Sequence, residues 1–253
     1  MSRMLEKINE YIERQNKLEK KVDINMVPQF STVIRENFET DDFRKLAAAG
    51  LEAAPLQFWI MPAAMSKKVH HSSEHGIGEV EYDDASKLYY VKEIGGKAFH
   101  TLRVLDIAEI FMEADDPRIF DFRGNLKAEK YGNEMTPRER DIIRTACLWH
   151  DIYSGGTDDE FNSKRRSMDK NHPHYHRTEL APLSSMISVA EWDLLLKCIE
   201  QHMWKWDDKI DIMKFHDLKL KESVQEAYKF ANEYRIVRIV ELSDLIASRN
   251  IRS

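Results

Sequence analysis

The stretch Leu148-Trp149-His150-Asp151-Ile152-Tyr153 restricts the folds open to this chain more than any other. It closes an apolar helical pattern with an imidazole and a carboxylate side by side. Neighbouring side chains on an uninterrupted helix point about 100° apart, so the two reach one volume only if the helix ends or distorts there. Ser154-Gly155-Gly156-Thr157 supplies that ending, because glycine accepts the left-handed geometry of a helix C-terminus. A lone His-Asp dipeptide is weak evidence. With ten histidines in 253 residues, about one such pair arises by chance, and a short motif needs its context.

The context comes from the patterning of the rest. Residues 3–21 carry Met4, Leu5, Ile8, Tyr11, Ile12 and Leu18 at helical spacing, an amphipathic helix that packs on the body or on a partner subunit, the latter making a homo-oligomer. Residues 29–50 read as one or two helices, with Thr40-Asp41-Asp42 as a cap and Gly50 as a stop. Pro55 and Pro62 bracket an apolar run, which predicts an extended segment leading into a loop with His70, His71 and His75. Between Gly78 and Ile94, two β-prone runs flank Asp83-Asp84-Ala85-Ser86-Lys87, the pattern of a β-hairpin.

From Gly95-Gly96 onward the pattern is helix after helix. Residues 97–113 show a broad apolar face of Phe99, Leu102, Val104, Leu105, Ala108, Ile110 and Phe111. Thr136-Pro137-Arg138-Glu139 is a capping box opening the helix that ends at His150-Asp151, and Ser188-Val189-Ala190-Glu191 opens one that reaches His202. Residues 154–171 are polar and read as a loop, followed by a helix from 174–178 to Ile187. Residues 234–248 form an apolar helix with Asp244 inside it. The fold class is mainly α: a helical bundle with a small β-hairpin insertion near 78–94. An N-terminal helical segment, 1–54, packs on a core made by 55–253.

Composition narrows the function classes. The charge of −6 (38 basic against 44 acidic residues) argues against a large non-specific nucleic-acid surface while leaving room for a local basic groove. No apolar run reaches membrane-spanning length and the N-terminus is not a signal peptide, so the expectation is a cytoplasmic protein with no membrane partner. Cys147 and Cys198 sit singly in helical apolar patterns, which suits free buried thiols in a reducing compartment and excludes thiolate zinc sites.

Four helical patterns each hold a potential metal ligand: His100, His150-Asp151, His202 and Asp244, with His176 near the start of another. A carboxylate in as apolar a helix as the one bearing Asp244 costs several kcal/mol, in rough terms, unless it is exposed, paired or bound to a cation. Imidazole and oxygen donors without thiolate suit Mn, Fe, Co, Ni or Mg over structural zinc.

In this order, H…HD…H…H…D over a helical core, the residues resemble the HD superfamily of metal-dependent phosphohydrolases across about 95–250. The resemblance implies an HD-domain helical bundle. It also implies two divalent cations held by His100, His150, Asp151, His176, His202 and Asp244, with Asp151 bridging them. His172 and His174 are alternatives to His176. A second likeness lies upstream, where Pro62-Ala63-Ala64-Met65-Ser66-Lys67, His70-His71 and Gly95-Gly96-Lys97-Ala98-Phe99-His100 look like the lead-in of a branch that contains 3′-to-5′ exoribonucleases and phage HD proteins. In that branch the lead-in is shorter, and the exonucleases carry an N-terminal β-barrel that the helical residues 1–54 do not provide.

The expected chemistry is hydrolysis of a phosphoester or phosphodiester, in a nucleotide or at the end of a single-stranded nucleic acid, by a metal-bound hydroxide. Asp151 is central to it. Arg103, one turn after His100, is a candidate to reach the substrate, as are Lys67 and His71, while Lys97, Arg177 and Lys205 are candidates for phosphate and Trp204 for a base. Two other classes stand beside it: a di-iron oxygenase on the same ligand set, and a non-catalytic metal-binding or scaffold protein.

Overall fold

The computed structural model describes residues 22–63, 76–86, 88–114, 135–157, 172–202 and 224–248, with side chains of the last segment from 235 onward. The helix expected over 3–21 lies outside them. Helices α1 (Pro28–Asn37), α2 (Asp41–Glu52) and α3 (Leu56–Ile60) lead to strands β1 (Glu79–Asp83) and β2 (Leu88–Glu93). After these come α4 (Gly96–Ala114), α5 (Pro137–Trp149), α6 (His172–Glu179), α7 (Val189–Gln201) and α8 (Val224–Ala247), with a 3-10 segment, Ala181–Met186, between α6 and α7. The fold is thus mostly helical with one small antiparallel sheet.

Helices α4, α5, α7 and α8 pack on one another, and α2 lies on α5. α5 sits at the centre: every residue from Asp141 to Trp149 is buried. Both capping boxes form as the sequence predicts, with Thr136 and Glu139 closing the start of α5 and Ser188 and Glu191 that of α7. The hairpin also forms, with Val80 opposite Val91 and Tyr82 opposite Tyr89. Its turn is held by the Asp83 carboxylate, which accepts from the amides of Ala85 (3.2 Å) and Ser86 (3.1 Å). Both ends of the hairpin are tied to the end of α3, where Gly78 N–H donates to Ile60 O (2.9 Å) and Gly95 N–H to Trp59 O (2.6 Å). This places the start of α4, and hence His100, relative to α3.

Three local expectations are corrected. The run between Pro55 and Pro62 is helical: Pro55 precedes the first turn and Pro62 follows the last, so neither ring removes a helical hydrogen bond. Its side chains are fully committed to the core, with Phe58 and Trp59 in edge contact (5.0 Å) and Phe30 of α1 against both. Gly50 does not stop α2, which runs on to Glu52. A Cβ there would lie 2.1 Å from the Trp149 ring, so glycine is required by the close approach of α2 to α5. The helix expected to reach Ile187 ends at Glu179 and continues as the tighter 3-10 segment.

Two charged clusters join these elements. Asp141, fully buried, accepts from Thr40 N (2.8 Å) and Thr40 Oγ1 (2.8 Å), so a carboxylate of α5 anchors the N-cap residue of α2, whose own side chain caps no helical amide. Arg144 donates to Asp141 (3.0 Å), Glu39 (3.0 Å) and Glu109 (2.7 Å). One turn before Asp141 on α5, Arg138 holds Glu191 of α7 (Nη2, 3.0 Å) and Asp42 of α2 (2.8 Å), so one guanidinium links the N-terminal turns of three helices. Cys147 and Cys198 are buried free thiols, and among the described residues no helix is long and apolar enough to cross a membrane.

Candidate metal centre

α5 stops at Trp149 and His150 caps it, still in helical geometry (φ −49°, ψ −33°). The chain then turns through residues 151–155 and reaches Gly156 at φ 91°, the left-handed conformation the glycine pair predicts. This departure from the helix lets the His150 and Asp151 side chains face the same volume.

Five helices meet there: α4, α5, α6, α7 and α8. His100 Nε2 of α4 lies 3.0 Å from Asp244 Oδ1 of α8, and His150 Nε2 lies 3.7 Å from the same oxygen. Asp151 Oδ2 is 3.9 Å from His150 Nε2, while its Oδ1 is 3.0 Å from His172 Nε2 and 3.8 Å from His202 Nε2. His150 stands between His100 and His202, with ring centroids at 5.5 and 4.9 Å. The four imidazoles are buried, whereas the side chains of Asp151 and Asp244 keep 16% and 14% exposure, so the cluster opens on its carboxylate side.

The imidazoles are oriented by their own helices. His150 Nδ1 is 2.8 Å from Cys147 O and His202 Nδ1 is 2.6 Å from Ile199 O. A carbonyl only accepts, so each Nδ1 carries a proton, and the neutral form of each ring presents its Nε2 lone pair to the cluster. Neither Nε2 has a hydrogen-bond partner among the described residues, although both atoms are buried. A buried lone pair without a donor is costly in an apolar interior and is relieved by a cation. Burial pushes His202 down to about 3, so it is neutral at pH 7 and ready to ligate.

The carboxylates behave in the opposite sense. Burial alone would raise Asp151, yet the His150 imidazole and the hydrogen bond from His172 hold it well below the usual range. Asp244 is likewise lowered against burial, chiefly by the His100 hydrogen bond. Two triads have ligand atoms that all lie within 4.8 Å of one another: His100, His150 and Asp244, and His150, Asp151 and His202. Imidazole nitrogens and carboxylate oxygens in this arrangement fit divalent cations of the Mn, Fe, Co, Ni or Mg kind.

His176 is not among the residues brought together. Its Nε2 lies 2.7 Å from Trp149 O and its Nδ1 3.3 Å from Pro173 O, so both nitrogens face the main chain. His172, one helical turn earlier on α6, is the histidine of this helix that faces Asp151, and His174 is exposed. All three lie within one short helix, and sequence spacing does not reveal the rotation of that helix about its axis. Arg177 also turns elsewhere: half-exposed, it pairs with Glu200 of α7 (2.9 Å). Arg103 is half-buried on α4. Lys97 is buried, and burial pushes it down to about 8 while the Asp151 carboxylate pulls it back up. Lys67, His70, His71, His75, Trp204, Lys205 and Trp206 lie outside the described residues.

The profile of the HD domain family matches residues 98–247, more than half of the chain. No curated protein and no solved structure matches it. The matched span contains every helix that supplies the cluster, from His100 on α4 to Asp244 on α8. The chain therefore belongs to the HD domain family, whose members bind divalent metals and are in general phosphohydrolases.

Proposed function

We propose that this chain hydrolyses a phosphoester or phosphodiester of a nucleotide at two adjacent cation subsites that share Asp151. One observation carries the reading: the two oxygens of Asp151 face different partners, Oδ1 towards His172 and His202 and Oδ2 towards His150. His100, His150 and Asp244 would complete one subsite, His172 and His202 the other, with the carboxylate of Asp151 common to both. Cations bound there supply Lewis-acid activation of water and neutralise charge at phosphorus. The protein's own part is to present neutral imidazoles, to keep both carboxylates ionised, and to exclude water from all but their exposed side.

Lys97 supports a substrate role. Its ammonium is buried and makes no hydrogen bond or ion pair among the described residues, and its electrostatic partner is Asp151. An anion from outside the chain relieves such a cation, and a phosphoryl oxygen is the anion this chemistry brings. The acidic net charge of −6 favours a small nucleotide over a long nucleic acid. The two free buried thiols suit a reducing compartment such as the cytoplasm.

The test is metal analysis followed by a screen of nucleotides, cyclic nucleotides and short oligonucleotides with Mn²⁺ in the absence of oxygen. The expected result is two cations per chain and turnover of a nucleotide, with Asp151→Asn lowering metal content and abolishing hydrolysis. Turnover that requires iron and consumes oxygen would sink this reading in favour of an oxygenase.

A further inference from the structure

His176 and Gln57 come from helices on opposite sides of the His150-Asp151 turn, and each holds the main chain next to it. His176, buried on α6, has Nε2 2.7 Å from Trp149 O, the carbonyl just before His150. That oxygen also accepts from Ile152 N (3.0 Å), the amide just after Asp151. The His176 ring stacks edge-on against Tyr153 at 5.0 Å, so it contacts the turn on both sides of the pair. A neutral imidazole donates only once, and the shorter contact places its proton on Nε2, donated to the Trp149 carbonyl.

Gln57 does the same from α3. It is buried, and its Nε2 donates to Gly156 O at 2.5 Å, where the turn ends. The fit is close, since a Cβ on Gly155 would lie 2.5 Å from Gln57 Oε1. α3 also receives Gly95 N–H at Trp59 O and Lys97 N–H at Met61 O (3.0 Å), so the helix that fixes the start of α4 also fixes the end of the turn. On α6, His172 and His176 are four residues apart and share a face, one meeting the Asp151 carboxylate and the other the backbone behind it.

We infer that His176 and Gln57 are positioning residues that clamp the backbone on either side of His150-Asp151 and so set the cation affinity of the site; this rests on the metal-centre reading above. Without the clamp the turn can relax towards ordinary helical geometry, in which the two side chains diverge. Groups that orient metal ligands typically govern affinity by about 10–100-fold.

The experiment is Mn²⁺ binding by calorimetry and electron paramagnetic resonance on the full chain, with His176→Phe and Gln57→Leu, alongside metal-free thermal melts. His176→Phe keeps a ring against Tyr153 and removes only the N–H donor. Each variant is expected to bind Mn²⁺ about tenfold more weakly, with a metal-free melting temperature within a few degrees of the parent. His176→Gln, which retains an N–H, should recover part of the affinity. Should the parent bind no Mn²⁺, the metal-centre reading fails and takes this inference with it. A parent that binds, beside variants with unchanged affinity, overturns the clamp alone. Variants that both fail to fold overturn it too, by showing the contacts to be purely structural.

Discussion

Lys97 separates stability from function at a single residue. Its charge is buried with no hydrogen bond or ion pair among the described residues and only the more distant Asp151 carboxylate to attract it, so Lys97→Met, which keeps the volume, should leave stability equal or raise it while lowering turnover about 10²–10³-fold. Urea denaturation and kcat measured on the same preparations check both halves. The pH dependence has a definite sign. The folded value near 8 lies below the ordinary 10.5, so between these values the unfolded chain binds the extra proton and stability rises with pH. Metal-free Lys97→Met should lack that rise. Gly50 works by shape alone: Gly50→Ala drives a methyl into the Trp149 ring from 2.1 Å away. A loss of about 3 kcal/mol is expected by denaturant unfolding, the upper part of the overpacking range. A loss under about 0.5 kcal/mol would mean that the ring moves aside at little cost.

Between elements, the arginines bind what the apolar faces only bring near. Glu191 caps α7 and receives Arg138 from α5, and the Arg138 hydrogen bond does most to lower it to about 2 against burial. A carboxylate lowered in this way adds stability that is fully present above its unfolded value of 4.5 and disappears as pH falls through about 2. Thermal melts between those pH values should show Glu191→Gln losing less on acidification than the parent. At neutral pH the substitution should cost about 1 kcal/mol, because the pair is partly exposed. The Arg144 cluster is not legible in the sequence. α5 is buried all round from Asp141 to Trp149, so both charges are internal, and no local spacing shows that.

At the scale of the molecule, the centre joins parts of the chain that are far apart. His100 and Asp244 are 144 residues apart in the chain and in contact at 3.0 Å. Cations held there would cross-link α4, α5, α6, α7 and α8, so binding should stabilise the whole fold. Mn²⁺ at about a hundred times its dissociation constant should add about 2.7 kcal/mol. That appears as a rise in melting temperature that chelator reverses and that Asp151→Asn abolishes.

Spacing alone picks out the residues that the fold gathers where each sits at a recognisable helix end or in an otherwise apolar helix. His150-Asp151 closes a capped helix, His202 ends another, and Asp244 interrupts a third; the hairpin and both capping boxes are local in the same way. Local sequence also carries a false stop at Gly50 and a false extended segment after Pro55, because proline and glycine report what a backbone permits and not what packs against it. The choice of His172 over His176, the inward turn of Asp141 and the grip of Gln57 on the turn belong to tertiary structure. Each depends on how one helix is rotated against another, and that rotation is set by the summed packing of side chains remote in the chain.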